Sequence, residues 1–151
     1  MKQSLTKRGF MSAYMPTNFG TLTVNAWVPV NNLWSKIVDP ANNFTTTNGQ
    51  YKPKVAGWYQ INAGLTISGS AGILAVTEIY KNGTTHRRIG STVLNAAGLI
   101  GSTPAAGCAV YFNGTTDYID LRVFTDMTGA NVLGDANGEY SWFQAYLIEA
   151  D

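Results

Sequence analysis

Cysteine is nearly absent from this chain. Cys108 stands alone, so no disulfide can close within one copy, and a cysteine-ligated zinc site lacks its ligands. Histidine is as scarce: any catalytic triad would have to use His86. Charge is sparse too. Asp, Glu, Lys and Arg make up 13% of the 151 residues, about half the share usual for a globular domain. The net charge of +1 supplies no concentrated basic patch for nucleic acid, which is excluded as the main partner. There is no apolar run of about eighteen residues, so no helical membrane span is expected. The opening "MKQSLTKRGF" has no apolar core of a signal peptide. The expectation is a chain made in a cytoplasm or cut from a longer one. No phosphate-binding Gly loop, H-E-x-x-H or G-x-S-x-G is found, and nothing argues for an enzyme.

Helical periodicity is missing as well. What fills the sequence is short β-branched and aromatic runs separated by Gly, Asn, Asp and Pro. Strands are expected at 10–15, 21–30, 36–39, 57–67, 73–82, 85–94, 105–113, 117–126 and 140–150. The punctuation between them is turn chemistry: "TNG" at 47–49, "KNG" at 81–83, "FNGTTD" at 112–117 and "GDANG" at 134–138. Roughly eight to ten strands at this spacing give an all-β sandwich or barrel. Residues 1–9, with Lys2, Lys7 and Arg8, read as an N-terminal arm, and 10–151 as one domain.

Phe44 followed by "NGQYKPKVAGWYQI", then "YKNG" at 80–83, then "FNGTTDYIDLRV" at 112–123 and "SWFQAYLI" at 141–148 occur in an order that resembles the C1q globular-head family, jelly-roll relatives of tumour necrosis factor. "FMSAYM" at 10–15 is similar to that family's first strand. The resemblance covers about residues 10 to 150. Ile61 stands where the family usually has an aromatic residue, and Ala145 where it usually has Gly. The resemblance implies an all-β, ten-stranded jelly-roll sandwich that forms tight homotrimers. In some members calcium binds at the top of the trimer.

The residues support a subunit interface on their own account. In "GWYQINAGL" the two-residue period puts Tyr59, Ile61, Ala63 and Leu65 on one face, and Trp58, Gln60 and Asn62 on the other. If the first set fills the core, the second still carries a Trp and uncharged amides, which suit a neighbouring subunit better than water. "SWFQAYLI" has no charge on either face. Trp58, Gln60, Asn62, Trp142 and Phe143 are therefore the candidate trimer interface. A closed monomer with a loop over that face is the rival.

Oxygen-bearing side chains recur at Asp117, Asp120, Asp135, Asn137 and Glu139. Such spacing suits calcium, but the order of a calcium loop is missing, and hydrogen-bonded turns are expected instead, with no cofactor. "THRRIG" places His86, Arg87 and Arg88 together, either as a patch for an anionic group or as a charged edge strand that blocks aggregation. Cys108, among small apolar residues, reads as a buried hydrophobe. The sequons at Asn43, Asn82 and Asn113 read as turns. A 16-residue stretch, "TDMTGANVLGDANGEY", is longer than a simple connection needs. Arg87, Arg88, Asp126, Asp135, Asn137 and Tyr140 are the candidate partner-binding residues.

These features lead to an expected function: a structural or adhesive homotrimer on a bacteriophage virion. It would be a capsid decoration, head-fibre or tail-fibre knob, assembled in the host cytoplasm, that binds another virion protein or a host-surface glycan. The alternative is a secreted ligand module for a protein receptor.

Overall fold

In a computed structural model of the chain, residues 9–70, 74–93, 100–102 and 106–151 are described. The expected arm, apart from Gly9, lies outside them, as do residues 73, 94 and 105 at the ends of three expected strands.

Among the described residues there are fourteen strands and no helix. They are β1 (Met11–Tyr14), β2 (Trp27–Pro29), β3 (Ser35–Val38), β4 (Phe44–Thr45), β5 (Gln50–Tyr51), β6 (Gly57–Gly64), β7 (Thr66–Ser68), β8 (Ala75–Lys81), β9 (Thr84–Thr92), β10 (Ile100–Ser102), β11 (Ala106–Phe112), β12 (Ile119–Thr125), β13 (Asn131–Val132) and β14 (Trp142–Ala150). One sheet has the order β11-β6-β14-β1-β3. A second runs β4-β5-β12-β8-β9, with β2 also on β12, and a small third is β10-β7-β13. Every pairing is antiparallel.

The core lies between the two large sheets and is dominated by rings. Phe143 of β14 meets Phe44 at 5.5 Å, Trp34 at 6.1 Å and Tyr51 at 6.5 Å between centroids. Tyr59 and Phe112 continue the cluster at 5.3 Å. Tilted and edge-on geometries of this kind add to the burial itself. The polar atoms of these rings are satisfied: Tyr51 Oη donates to the Gly9 carbonyl, Tyr59 Oη to that of Val55, and Trp34 Nε1 to that of Val30. Burial pushes the Tyr51 and Tyr59 phenols well above the usual range, that of Tyr59 to about 12. Gly57 is needed where it stands. Its φ is +146°, and a Cβ there would lie 2.2 Å from the Glu149 carbonyl oxygen of β14.

Four expectations change. The strand expected at 21–30 is only Trp27–Pro29, because Asn25 turns the chain at φ 57°. The run 57–67 divides at Leu65, and its two pieces, β6 and β7, enter different sheets. The expected ten strands become fourteen short segments among the described residues, since β4, β5, β10 and β13 are too brief to show a period. The long 125–140 stretch is more than a connection. β13 inside it pairs with β7, Val132 bridges Phe19, and Ala130 and Val132 are in the core.

The turns are as expected. Asn82 and Gly83 both have positive φ between β8 and β9, and Asn113 Oδ1 accepts from the amides of Thr115, Thr116 and Asp117. Truncating the central ring, Phe143→Ala, should lower unfolding free energy by about 3–5 kcal/mol. Denaturant titration checks this, and a loss below about 1 kcal/mol would contradict the packing.

Candidate functional site

β6 starts at Gly57, opposite Ala150, and ends at Gly64, opposite Trp142. Gly9 packs beside Leu147 and Tyr59, and the Asp151 amide donates to the Ala56 carbonyl. Gly9 and Asp151 are thus at one end of the sandwich, and the 126–141 segment is at the other.

With Tyr59, Ile61, Ala63, Phe143 and Ala145 in the core, the alternation turns a fixed set of side chains outward from the five-stranded sheet. They are Ser12 and Tyr14 of β1, Trp58, Gln60 and Asn62 of β6, Ala109 and Tyr111 of β11, and Trp142, Gln144 and Tyr146 of β14. Ile148 joins them at the bulge between Leu147 and Glu149. None is charged. Trp58 is 47% exposed, Tyr146 43% and Ile148 52%. Trp58 and Tyr111 are cross-strand partners with ring centroids 5.7 Å apart. Gln60 Nε2 donates to Asn62 Oδ1 at 3.0 Å.

Gly107, opposite Asn62, has no room for a side chain, since a Cβ would lie 2.3 Å from the Ile61 carbonyl oxygen. The bare backbone there helps to leave a recess of about 150 Å³, lined by Asn62, Ala106, Gly107, Trp142 and Gln144. Of the candidate interface residues, Trp58, Gln60, Asn62 and Trp142 share this outer face. Phe143 does not. It is fully buried among Phe44, Trp34 and Tyr51 and cannot touch another copy. Tyr146, Gln144, Tyr111 and Ile148 belong to the face although sequence reasoning left them out. The two-residue period from Trp142 finds Gln144 and Tyr146, whereas Ile148 needed knowledge of the bulge.

The other large sheet carries most of the embedded charge. Arg88 of β9 is exposed, and its Nε donates to Glu78 Oε1 at 3.1 Å, over a Glu78 that is buried. Arg122 Nε donates to buried Asp120 at 3.2 Å, and its guanidinium lies 4.1 Å from the Tyr80 ring centre. Burial raises the Asp120 carboxyl above its usual range against the pull of Arg122. Arg87 and His86 are exposed on β9. The His86 imidazole is held below its usual range by burial and by Lys81 and Arg87. Arg88 is therefore half committed to Glu78, and Arg87 is not its equivalent.

At the loop end, Asp126 and Asp135 shape the chain. Asp126 Oδ1 accepts from the Leu74 amide at 2.9 Å. Asp135 accepts from the Asn137 amide through Oδ2 and from the Glu139 amide through Oδ1. Asn137 and Tyr140 are exposed beside them. Asp117 is held in the same manner, by Asn82 Nδ2, the Asn113 amide and Lys81 Nζ. Among the described residues no three His, Cys, Asp or Glu side chains are grouped to share a cation. Cys108, expected to be buried, is only half so, on edge strand β11. Burial pushes its thiol up.

No family model matches the chain, and no curated protein matches it. Solved structures do. The globular domain of a zebrafish complement 1qA protein aligns over 96% of this chain and all of that one, with a TM-score of 0.63 and 14% identity. An Eiger TNF from S. frugiperda aligns over 95% of this chain and 96% of its own, at 0.69 and 12%. Murine APRIL covers 93% of this chain and all of its own, at 0.68 and 10%. The chain has the C1q/TNF-like jelly-roll fold, and at these identities the likeness concerns fold alone.

If Asp135 is a backbone clamp, Asp135→Ala should speed hydrogen exchange at the Asn137 and Glu139 amides, with a global stability loss of about 1 kcal/mol. Unchanged exchange at both amides would refute that role.

Proposed function

We propose that the chain is a non-enzymatic, homotrimeric recognition module. Its five-stranded sheet turns inward around an axis along the strands, and its loop end is presented outward. The observation that carries this is the outer face of that sheet, uncharged from Gln60 to Trp142 with carboxylates only at its Gly57 end, and with Trp58, Tyr146 and Ile148 half exposed in the single copy. Apolar surface of this kind is stabilised by removal from water, at roughly 25 cal/mol per Å². A low charge content leaves few other ways to keep such a face wet. The rest of the trimer's surface would then present Asn137 and Tyr140 at the loop end and Arg87 on β9.

The partner proposed for that surface is a host-surface glycan or another virion protein, with the trimer serving as an adhesive or structural knob on a bacteriophage particle. Amides, hydroxyls and an exposed Tyr are what sugar hydroxyls and sugar faces pair with. The virion setting is motivated by the single cysteine, which fits assembly in a reducing cytoplasm, and by the low charge. A secreted ligand for a protein receptor would use the same trimer, and the fold likeness to a TNF and to APRIL fits that second reading equally. Fold does not choose between them.

Gln60→Lys or Asn62→Lys places an amine against two symmetry copies of itself. An unpaired buried charge costs several kcal/mol, roughly 3–5. Each variant should sediment as a folded monomer at micromolar concentration, and a trimer with unchanged melting temperature would sink the face assignment. For the partner, the trimer should retain binding on an array of surface glycans, and Tyr140→Ala should weaken it about tenfold, the loss of one stacking contact. Binding that ignores Tyr140→Ala removes the loop end as the contact.

A further inference from the structure

The recess at Asn62 raises the question of what fills it. Resting on the trimeric reading above, we propose that Ile37 of a neighbouring copy seats in it, so that each subunit offers one knob and one socket and the contact closes around the ring.

Register supplies the argument. Gly107 pairs with Asn62, Asn62 with Gln144, Gln144 with Ser12, and Ser12 with Val38. This single row crosses the whole sheet at one level, from edge strand β11 to edge strand β3. A cyclic assembly about an axis along the strands conserves height. What enters the recess beside β11 must therefore come from the same level of the next copy. At that level, next to Val38 and on the opposite edge, stands Ile37. It is 66% exposed, more than any other large hydrophobic side chain among the described residues. The recess of about 150 Å³ matches a volume that accepts a benzene ring in other proteins, which is ample for a branched aliphatic side chain.

Two further observations favour a copy of this chain over another occupant. Among the described residues β11 pairs with one strand only, β6, and its sequence "AGCAVYF" carries neither charge nor Pro, although Lys81 Nζ donates to the Tyr111 carbonyl near its far end. Natural edges of this length are protected by such devices or covered, and beside Gly107 the described residues show none of them. Beside Ile37, the Lys36 ammonium is already tied down: its Nζ donates to Asp39 at 3.1 Å and to Asn42 at 2.7 Å. The knob's neighbouring lysine is thus paired within its own copy, and the lining of the socket is uncharged. The pairing is heterologous, edge to opposite edge, which closes into a ring rather than a two-fold dimer.

Paired cysteines at Ile37 and Asn62, in a Cys108→Ala background, test the contact directly. Within one copy these positions are separated by three inter-strand spacings, about 14 Å, beyond disulfide reach. Any bond is therefore between copies. Under mild copper-phenanthroline oxidation the double variant should run as covalent trimers on a denaturing non-reducing gel, and neither single variant should. Ile37→Ala, on an exposed side chain, should leave the monomer folded and weaken each contact about tenfold in sedimentation equilibrium.

A wild-type trimer whose double variant forms no cross-link, or only dimers, would overturn the knob and leave the trimer standing. An unchanged assembly midpoint for Ile37→Ala would do the same. A wild-type monomer would remove both.

Discussion

The structure depends on where Phe143 points. Its ring sits among Phe44, Trp34 and Tyr51, and that contact sets the phase of β14. Once Phe143 is inside, Trp142, Gln144 and Tyr146 must be outside. The antiparallel register then aligns them with Gly64, Asn62 and Gln60 of β6. A slip of one residue would exchange every inner side chain for an outer one. The buried ring cluster thus determines the composition of a surface that it never touches.

That surface is unusual for a chain with so few charges. The buried carboxylates sit on the other large sheet, where Glu78 and Asp120 pair with Arg88 and Arg122. Among the described residues, each has one oxygen with no hydrogen-bond donor in range, Glu78 Oε2 and Asp120 Oδ1. The outer face that carries Trp58 and Tyr146 has amides and rings over most of its length, with Glu149 at one end and Lys36 on the edge strand β3. An amide neighbourhood such as Gln60 to Asn62 tolerates burial because the two groups satisfy part of each other's needs. A lysine in the same place has no such partner. The division of labour follows from electrostatics: the charged sheet can stay in water, and the neutral one is better covered.

Much of this was legible in the residues. The alternation in "GWYQINAGL" separates Tyr59 and Ile61 from Trp58, Gln60 and Asn62, and the structure keeps that separation. The turn at Asn82–Gly83 follows from its two residues. What remained hidden needed distant partners. "SWFQAYLI" is uncharged on both faces, so its period gives alternation without phase, and only the ring cluster decides that Phe143 is core. β7 leaves the sheet of β6 at Leu65 because β10 and β13 are its partners, and two-residue strands such as β13 have no period to read. Asp135 in "GDANG" reads as a turn residue, and its carboxylate does serve the Asn137 and Glu139 amides. Arg88 looked free because Glu78, ten residues away in sequence, is brought under it by the β8–β9 hairpin.

Sedimentation equilibrium of the unaltered chain, from nanomolar to micromolar concentration, bears most directly on the central claim that the neutral sheet is covered by two further copies. The account predicts a single species of three chain masses at micromolar concentration, dissociating to folded monomers on dilution or not at all. A single species of one chain mass across the range would contradict it.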